Sequence, residues 1–219
     1  MPIVGYLSNM SLAAKIPILM AVGYLLGTIP SAVWVARSYG LDIYEVGSGN
    51  PGASNIYRAL GKKAAALVFL MDALKGVIPA ALGRWALGGT IALGLVGGAA
   101  AVAGHSWPVF RRFRGGRGVA TGAGVLLVCY PVLTLILLGV FALIVAVAKK
   151  PSIGSLAAIA GVVVGMIVIA PPRSELLLVI ALVVLVLVRH AENIKRLFRG
   201  EEHGLELAGS DLTSAEGDA

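Results

Sequence analysis

The chain has 219 residues, 58% of them hydrophobic, and a formal net charge of +7. Soluble domains average about 45–50% apolar residues. Because long uncharged runs recur here, the composition predicts an all-α, polytopic membrane protein without separate soluble domains. The positive charge is concentrated between the apolar runs, which indicates membrane topology and argues against a nucleic-acid partner. The single cysteine, Cys129, excludes an intrachain disulfide and a multi-thiolate metal site.

The apolar runs divide the chain into helices. We expect residues 1–202 to form one membrane-embedded domain, opened by a short lead over residues 1–15, and the acidic tail, residues 203–219, to be disordered. The first three predicted helices cover residues 16–39, 64–87 and 89–110. In the first, Gly23 and Gly27 have the spacing that lets helices pack closely in lipid. The apolar region 119–188 has three interruptions: Tyr130-Pro131, Lys149-Lys150-Pro151 and Pro171-Pro172-Arg173.

The distribution of basic residues predicts the topology. Clusters of Lys and Arg follow the first helix, precede residue 119 and follow residue 188, so the positive-inside rule places all three in the cytoplasm. An even number of passes must then join the second cluster to the third. Dividing the chain at Tyr130-Pro131 gives four, over residues 118–130, 132–148, 152–170 and 174–189. We therefore predict seven spans, with the N-terminus outside and the C-terminus cytoplasmic. Segment 118–130 is shorter than the usual ~20 residues, and one helix over 119–148 would give five spans.

A first polar motif, GSGNPGASN, covers residues 47–55. Its neutral hydrogen-bonding side chains, among them Ser48 and Asn50, stand on a flexible glycine-rich backbone that suits a polyol or a phosphoryl group. Arg58 follows and could complete an anion site. The same residues also fit an ordinary turn-rich loop, with Arg58 as a topology charge.

A second motif, GHSWPVFRRFRGGRGVAT, covers residues 104–121. It combines four arginines with three glycines at the entry of an apolar helix: Arg111, Arg112, Arg114, Arg117, Gly115, Gly116 and Gly118. Guanidinium groups, glycine backbone N–H groups and a helix N-terminus all favour a bound phosphate. A basic loop that only fixes topology is the alternative. For His105, at the end of the preceding helix, we expect a structural hydrogen bond.

Further polar residues interrupt or end the apolar runs. In RHAENIKRLFRGEE, residues 189–202, His190 and Asn193 would share one face if the helix continued. His190 could bind phosphate, orient a hydroxyl or move a proton, or it could simply be interfacial. Asp72 and Lys75 lie three residues apart inside an apolar run, and we interpret them as a neutralising pair, with a proton pathway as the alternative.

Taken together, these motifs resemble the three signatures of the bacterial integral-membrane glycerol-3-phosphate acyltransferases that use acyl phosphate as donor (PlsY type). The likeness covers about residues 23–201. It implies a seven-helix enzyme of the bacterial plasma membrane, with its site at the cytoplasmic face. The reaction implied is acyl transfer from a fatty acyl phosphate to the 1-hydroxyl of sn-glycerol 3-phosphate, giving lysophosphatidic acid and phosphate. We expect a monomer in the lipid bilayer, without cofactor or metal.

The resemblance also implies roles for individual residues. Ser48 and Asn50 would contact the substrate, and Arg58 would bind phosphate. His190 and Asn193 would position glycerol phosphate, and Glu201 would be a structural anchor. The second motif would supply a phosphate-binding loop of Arg114, Gly115, Gly116, Arg117 and Gly118. The family usually has lysines where this chain has FRGGR, which exchanges a point charge for a planar fork of donors.

The chemistry suggests direct transfer. Acyl phosphate is an activated mixed anhydride, and clustered arginines would offset the repulsion between two anionic substrates. Neither a Ser–His–Asp set nor a His-x4-Asp motif is evident, so we predict attack without an acyl-enzyme, with Ser48, His190 and Asn193 as the catalytic group. His190 or a substrate phosphate oxygen would take the proton. The rival functions are an organic-anion transporter or binding protein, an anionic-lipid scaffold, and the same fold with another acyl donor.

Overall fold

The computed structural model describes residues 10–205, so most of the predicted lead and tail, residues 1–9 and 206–219, lies outside the described residues. Within 10–205 the chain forms nine α-helices and no β-strand, which confirms the all-α class. In chain order these are α1 (Leu12–Gly27), α2 (Ser31–Ser38), α3 (Ala53–Ala81), α4 (Ile91–Ser106), α5 (Val119–Cys129), α6 (Pro131–Ala148), α7 (Pro151–Ile169), α8 (Arg173–Arg189) and α9 (Ala191–Arg199). A π-helical turn, Leu82–Ala86, extends α3.

Prolines set most helix boundaries. Pro131 and Pro151 occupy the first positions of α6 and α7, and Pro172 precedes α8, so all three predicted interruptions are confirmed. A single helix over residues 119–148 is therefore wrong, because the chain leaves helical geometry at Tyr130. The first predicted helix is divided in two near Pro30, which cannot donate a backbone hydrogen bond.

Two other boundaries differ from the prediction. Helix α3 begins at Ala53 instead of residue 64, because the chain is already helical before Gly61, where it leaves helical geometry with φ +80° and ψ −173°. The predicted helix over residues 64–87 corresponds to the part of α3 after this break and the π-helical turn. Helix α4 ends at Ser106, just before Trp107-Pro108, rather than at residue 110.

The number of spans is five or six by length and composition. Five helical segments qualify: Leu12–Ser38, Ala53–Ala86, Ile91–Arg111, Pro131–Ala148 and Pro151–Ile169. Helices α8 and α9 together would make a sixth, although they meet at an angle of 52°. Helix α5 has only 11 residues. Seven spans and the orientation in the membrane therefore stay predictions, with α5 as the partial span.

Glycines bring the helix backbones into contact. A Cβ atom added to Gly23 would stand 2.2 Å from the carbonyl oxygen of Gly97, and one added to Gly27 would stand 2.1 Å from that of Ala101. The predicted close packing of these two glycines is thus confirmed. Gly76 of α3 makes the same kind of contact with Thr121 of α5. Helix α4 packs against α1, α3, α5 and α8, and it delivers His105 to the centre of the bundle.

The glycine contacts give a first prediction. Gly27→Ala should lower the free energy of unfolding by about 1–3 kcal/mol, because the added methyl group forces α1 away from α4. Thermal unfolding in detergent would measure the change. Gly139→Ala in α6 is the matched control, since an added Cβ there meets no atom within 4 Å. Equal melting temperatures for the two variants would contradict the packing argument.

Candidate active site

A polar cavity of about 80 Å³ lies where the three sequence motifs meet. It is bounded by the first loop, the start of α5, the junction of α8 and α9, and the start of α7. Its lining consists of Asn50, Gly52, Ala53, Ser54, Phe69, Asp72, His105, Arg117, Gly118, Val119, Ala120, Phe141, Pro151, Ser152, Ser155 and His190. The structure therefore brings part of every predicted motif to one place. It adds Ser152 and Ser155, which the sequence did not single out.

The first loop is held together by a buried amide. Asn55 is 1% exposed, and its Nδ2 donates to the carbonyl oxygens of Val46 (2.9 Å) and Ile43 (3.3 Å). Its Oδ1 accepts from the backbone N–H of Ser48 at 2.9 Å. Asn50 reaches the cavity, whereas Ser48 is half-buried in the loop and does not line the cavity.

The second motif forms a glycine loop, residues 115–118, pressed against its neighbours. A Cβ on Gly115 would come within 2.1 Å of the His105 carbonyl oxygen, and one on Gly116 within 2.2 Å of His105 Nε2. From the other side Arg189 donates to the carbonyl oxygens of Gly115 (2.7 Å) and Gly116 (3.0 Å). Gly118, with φ +80°, turns the chain into α5. Only glycine fits this path.

Arg117 brings a partly buried positive charge to the cavity. Burial, together with the repulsion of neighbouring arginines, lowers the pKa of Arg117 to about 10, and the attraction of Glu202 only partly offsets these two effects. The guanidinium is still protonated at neutral pH, so a bound anion would recover part of the lost solvation. Arg114, also predicted to bind phosphate, is exposed and stacks over the ring of Tyr44, 5.1 Å from its centroid. It does not line the cavity.

His190 has a defined hydrogen-bond pattern. It is 1% exposed, and its Nδ1 lies 2.8 Å from the carbonyl oxygen of Val186. Because a carbonyl only accepts, Nδ1 carries the proton and neutral His190 keeps a lone pair on Nε2. An imidazole in this form can accept a proton from a hydroxyl group.

The third motif is anchored by Glu202, not by Glu201. The chain bends at His190, so α9 does not continue α8. Asn193, fully buried, donates to Glu202 Oε1 at 2.6 Å, and Arg196 donates to Oε2 at 3.1 Å. Glu201 is exposed, which corrects its predicted role as the anchor. The Oδ1 atom of Asn193 is buried without a partner among the described residues.

Arg58 is engaged by the segment that follows α9. Its Nε donates to the carbonyl oxygen of Gly204 at 2.6 Å and its Nη2 to that of His203 at 3.0 Å. The N–H of Leu205 donates to the Lys149 carbonyl oxygen at 2.9 Å. Arg58 therefore stands beside the cavity without lining it in this structure.

The intramembrane charges form the expected pair and extend it. Lys75 Nζ lies 2.6 Å from Asp72 Oδ1, and both side chains are buried. The imidazole of His105 adjoins them, with Nδ1 3.4 Å from Lys75 Nζ. Asp72 and His105 also line the cavity, so the cluster reaches the site.

The fold and the site define a helical membrane protein with a polar cavity, lined by a cationic side chain, within an apolar bundle. The model of the glycerol-3-phosphate acyltransferase family matches residues 17–200. A relative of that name from Rubrobacter xylanophilus is 45% identical over 188 residues, covering 84% of this chain and 92% of the relative. One from Clostridioides difficile is 43% identical, with 84% and 93% covered. The chain belongs to the glycerol-3-phosphate acyltransferase family, and it is an acyltransferase.

Two solved structures have the same fold. The crystal structure of PlsY (YgiH), an integral membrane glycerol 3-phosphate acyltransferase, in its glycerol 3-phosphate form, superposes with a TM-score of 0.82 at 37% identity, covering 90% of this chain and 98% of that one. The lysophosphatidic acid form gives 0.78 at 38% identity, covering 86% and 94%.

The anchor at Glu202 gives a second prediction, which concerns how the stability of the protein depends on pH. Burial raises the pKa of the Glu202 carboxyl group, but the hydrogen bonds from Asn193 and Arg196 outweigh it and lower the pKa below the ordinary 4.5. The stabilisation by this carboxylate is therefore full above pH 4.5 and is lost as the pH falls through the lowered value. Thermal unfolding followed between pH 7 and the acid limit should show that loss.

Variants at the two adjacent glutamates test the assignment. Glu202→Gln should lower the free energy of unfolding at pH 7 by about 1–3 kcal/mol and should flatten the acid dependence, because the charged acceptor of Asn193 and Arg196 is removed. Glu201→Gln should behave like the wild type. A similar loss in both variants would show that neither carboxylate is specifically the anchor.

Proposed function

We propose that the protein transfers a fatty acyl group from acyl phosphate to the 1-hydroxyl of sn-glycerol 3-phosphate, releasing lysophosphatidic acid and phosphate. The observation that carries this proposal is the junction of the polar cavity with an apolar groove. Four residues border both spaces: Phe69, Val119, Phe141 and Ser155. The groove, also of about 80 Å³, continues between α5, α6, α7 and α8 along side chains such as Leu126, Leu137, Ile159 and Val186.

The two spaces match the two ends of an acyl donor. Apolar side chains of the groove would cover an acyl chain with little desolvation cost. The phosphate of the donor, or that of glycerol phosphate, would meet Arg117 and the N-terminus of α5, where Gly118 turns the chain into the helix. The acyl carbonyl would then lie at the border of the two spaces, close to His190.

The remaining polar groups suit the acceptor. Asn50 lines the cavity, and Asn193, three residues after the cavity-lining His190, has a buried Oδ1 without a hydrogen-bond partner among residues 10–205. Such groups can hold glycerol hydroxyls, with Ser48 supporting the loop that carries Asn50. Arg58 would bind phosphate after leaving the carbonyl oxygens of His203 and Gly204. The cationic surroundings would bring two anionic substrates together and so lower the barrier through proximity and charge.

The reaction would proceed by direct attack. His190 Nε2 takes the proton of the 1-hydroxyl while the hydroxyl oxygen forms a bond to the acyl carbon. The bond between that carbon and the phosphate oxygen then breaks, and the leaving phosphate takes the electron pair. Asn193 keeps the acceptor in place. The tautomer of His190, fixed by Val186, supports this role for the imidazole.

The charge distribution supports a site at the cytoplasmic face of a bacterial plasma membrane. Exposed basic residues belong to the segments that carry the three motifs, namely α3 beside its kink, the second motif and α9: Lys62, Lys63, Arg112, Arg114, Lys195 and Arg199. By the positive-inside rule this end faces the cytoplasm. We also propose that the protein acts as a monomer in the lipid bilayer.

The donor is tested by comparing acyl carriers. Purified protein receives glycerol 3-phosphate with palmitoyl phosphate or palmitoyl-CoA, and lysophosphatidic acid and phosphate are measured. We expect turnover with palmitoyl phosphate alone, and a fall of at least 100-fold in His190→Ala, because general base catalysis contributes about 10²–10⁴-fold. Arg117→Ala should lose a comparable amount. Turnover with palmitoyl-CoA alone would overturn the donor, and turnover with neither would direct the next test to transport.

Direct transfer predicts that no covalent intermediate forms. Protein mixed with palmitoyl phosphate in the absence of glycerol phosphate, quenched in acid and analysed by intact mass, should show no added palmitoyl group. Ser48 is the hydroxyl to inspect by peptide mapping, since the predicted catalytic group includes it. A palmitoyl ester on Ser48 that disappears when glycerol 3-phosphate is added would contradict the mechanism.

A further inference from the structure

We propose that His105 is a second substrate-binding imidazole, a neutral Nε2–H donor to a phosphoryl oxygen held over the glycine loop, and that Lys75 and Asp72 fix its tautomer. His105 lies at the end of α4, is 6% exposed and lines the polar cavity. The identity of the substrate rests on the proposed function, but the phosphoryl contact does not depend on turnover.

The tautomer follows from the groups around Nδ1. Lys75 Nζ contacts Asp72 Oδ1 (2.6 Å) and donates to the carbonyl oxygen of Ile29 (2.6 Å), and it lies 3.4 Å from His105 Nδ1. A lysine ammonium has three donors and no acceptor, so its third proton points to Nδ1 as an acceptor. Asp72 Oδ1 is farther from Nδ1, at 3.8 Å, beyond hydrogen-bonding distance. The proton of neutral His105 is therefore on Nε2.

Nε2 lies beside the glycine loop, where its proton can be donated to a bound oxygen. Gly116 packs against the same edge of the ring, and a side chain there would come within 2.2 Å of Nε2. The N–H of Gly116 donates to the His105 carbonyl oxygen at 3.1 Å, so imidazole and loop are held together. Among residues 10–205 no protein acceptor for Nε2–H is found. An oxygen bound beside Arg117 would supply one.

A neutral donor suits a site that already holds several cations. Arg58, Arg189 and Arg196 lie near enough to Arg117 to disfavour its charge. Another ammonium or guanidinium would add to that repulsion whenever the site is empty, whereas an imidazole N–H donates at no such cost. The pair Asp72–Lys75 is neutral overall, so it orients His105 without adding net charge.

The two cavity histidines would then have opposite tautomers. His190 keeps its proton on Nδ1, against Val186, and offers a lone pair. His105 keeps its proton on Nε2 and offers a donor. One imidazole is therefore prepared to accept a proton from the attacking hydroxyl group, and the other to hold an oxygen without releasing a proton.

Two isosteres of histidine distinguish binding by Nε2 from simple bracing of the loop. The amide of glutamine reaches the place of Nε2, whereas that of asparagine overlaps Nδ1. His105→Asn should raise KM for glycerol 3-phosphate or for palmitoyl phosphate by about 10- to 100-fold with little change in kcat, as expected for a lost hydrogen bond to a charged oxygen. His105→Gln should restore KM to within a few-fold of the wild type. Equal KM values in the two variants would overturn the proposal.

Nitrogen NMR tests the tautomer and the contact without catalysis. The chain has three histidines, so ¹⁵N-histidine signals can be assigned by single substitution. We expect a protonated Nε2 at His105, a protonated Nδ1 at His190, and a shift of the His105 Nε2 signal when inorganic phosphate or glycerol 3-phosphate is added. A protonated Nδ1 at His105 in the wild type, or no shift with either anion at saturation, would refute the proposal.

Lys75→Met adds a direct test of what sets the tautomer. With the ammonium removed, the carboxylate of Asp72, 3.8 Å from Nδ1, favours a proton there. The proton should therefore move from Nε2 to Nδ1, and KM should rise as in His105→Asn. An unchanged His105 tautomer in this variant would contradict the role of Lys75. Because the anion titration of the wild type needs no turnover, a positive result there with inactive protein would reject the proposed reaction and keep the binding role.

Discussion

Backbone contact at glycines is the constraint on which the rest of this structure depends. Apolar side chains gain little free energy when they exchange contacts with lipid for contacts with another helix, so membrane helices associate through close packing and polar contacts. Gly23 and Gly27 let α1 meet α4, and Gly76 lets α3 meet α5. These contacts set the level of α4 in the bundle, and α4 in turn brings His105 under the glycine loop. The position of the site is thus decided by residues far from any substrate.

The site contains several positive charges, most of which are hydrogen-bonded to carbonyl oxygens or to a carboxylate. Arg189 donates hydrogen bonds to carbonyl oxygens of the glycine loop, and Arg58 donates to carbonyl oxygens of the segment after α9. Arg196 donates to the carboxylate of Glu202. Arg117 is the member of this group that lines the cavity. Because its neighbours are engaged by protein acceptors, an anion entering the proposed site would meet one well-defined cation, the N-terminus of α5 and two imidazoles in place of a diffuse basic surface.

Much of this arrangement could be predicted from the sequence, because hydropathy, proline positions and glycine-rich polar motifs are local signals. The helix breaks at Pro131, Pro151 and Pro172 are confirmed, as are Gly23 and Gly27. The contribution of Ser152 could not be foreseen, since it depends on the packing that brings the start of α7 to the same cavity as His190. The choice between Glu201 and Glu202 depends on the turn after α9, because a shift of one position along that turn separates the exposed carboxylate from the buried one. Arg114 shared the charge pattern of Arg117, but the loop directs it to Tyr44.

Helix α6 has one buried residue, Thr134, although it forms one wall of the apolar groove. Leu138 lines that groove without being part of the glycine contacts that hold α1, α3, α4 and α5 together. A substitution at Leu138 would therefore change the shape of the groove while those glycine contacts and the polar cavity, which Leu138 does not line, stay as they are. If the groove holds the acyl chain as proposed, Leu138 is a position at which acyl-chain preference can change without loss of the helix packing that forms the site.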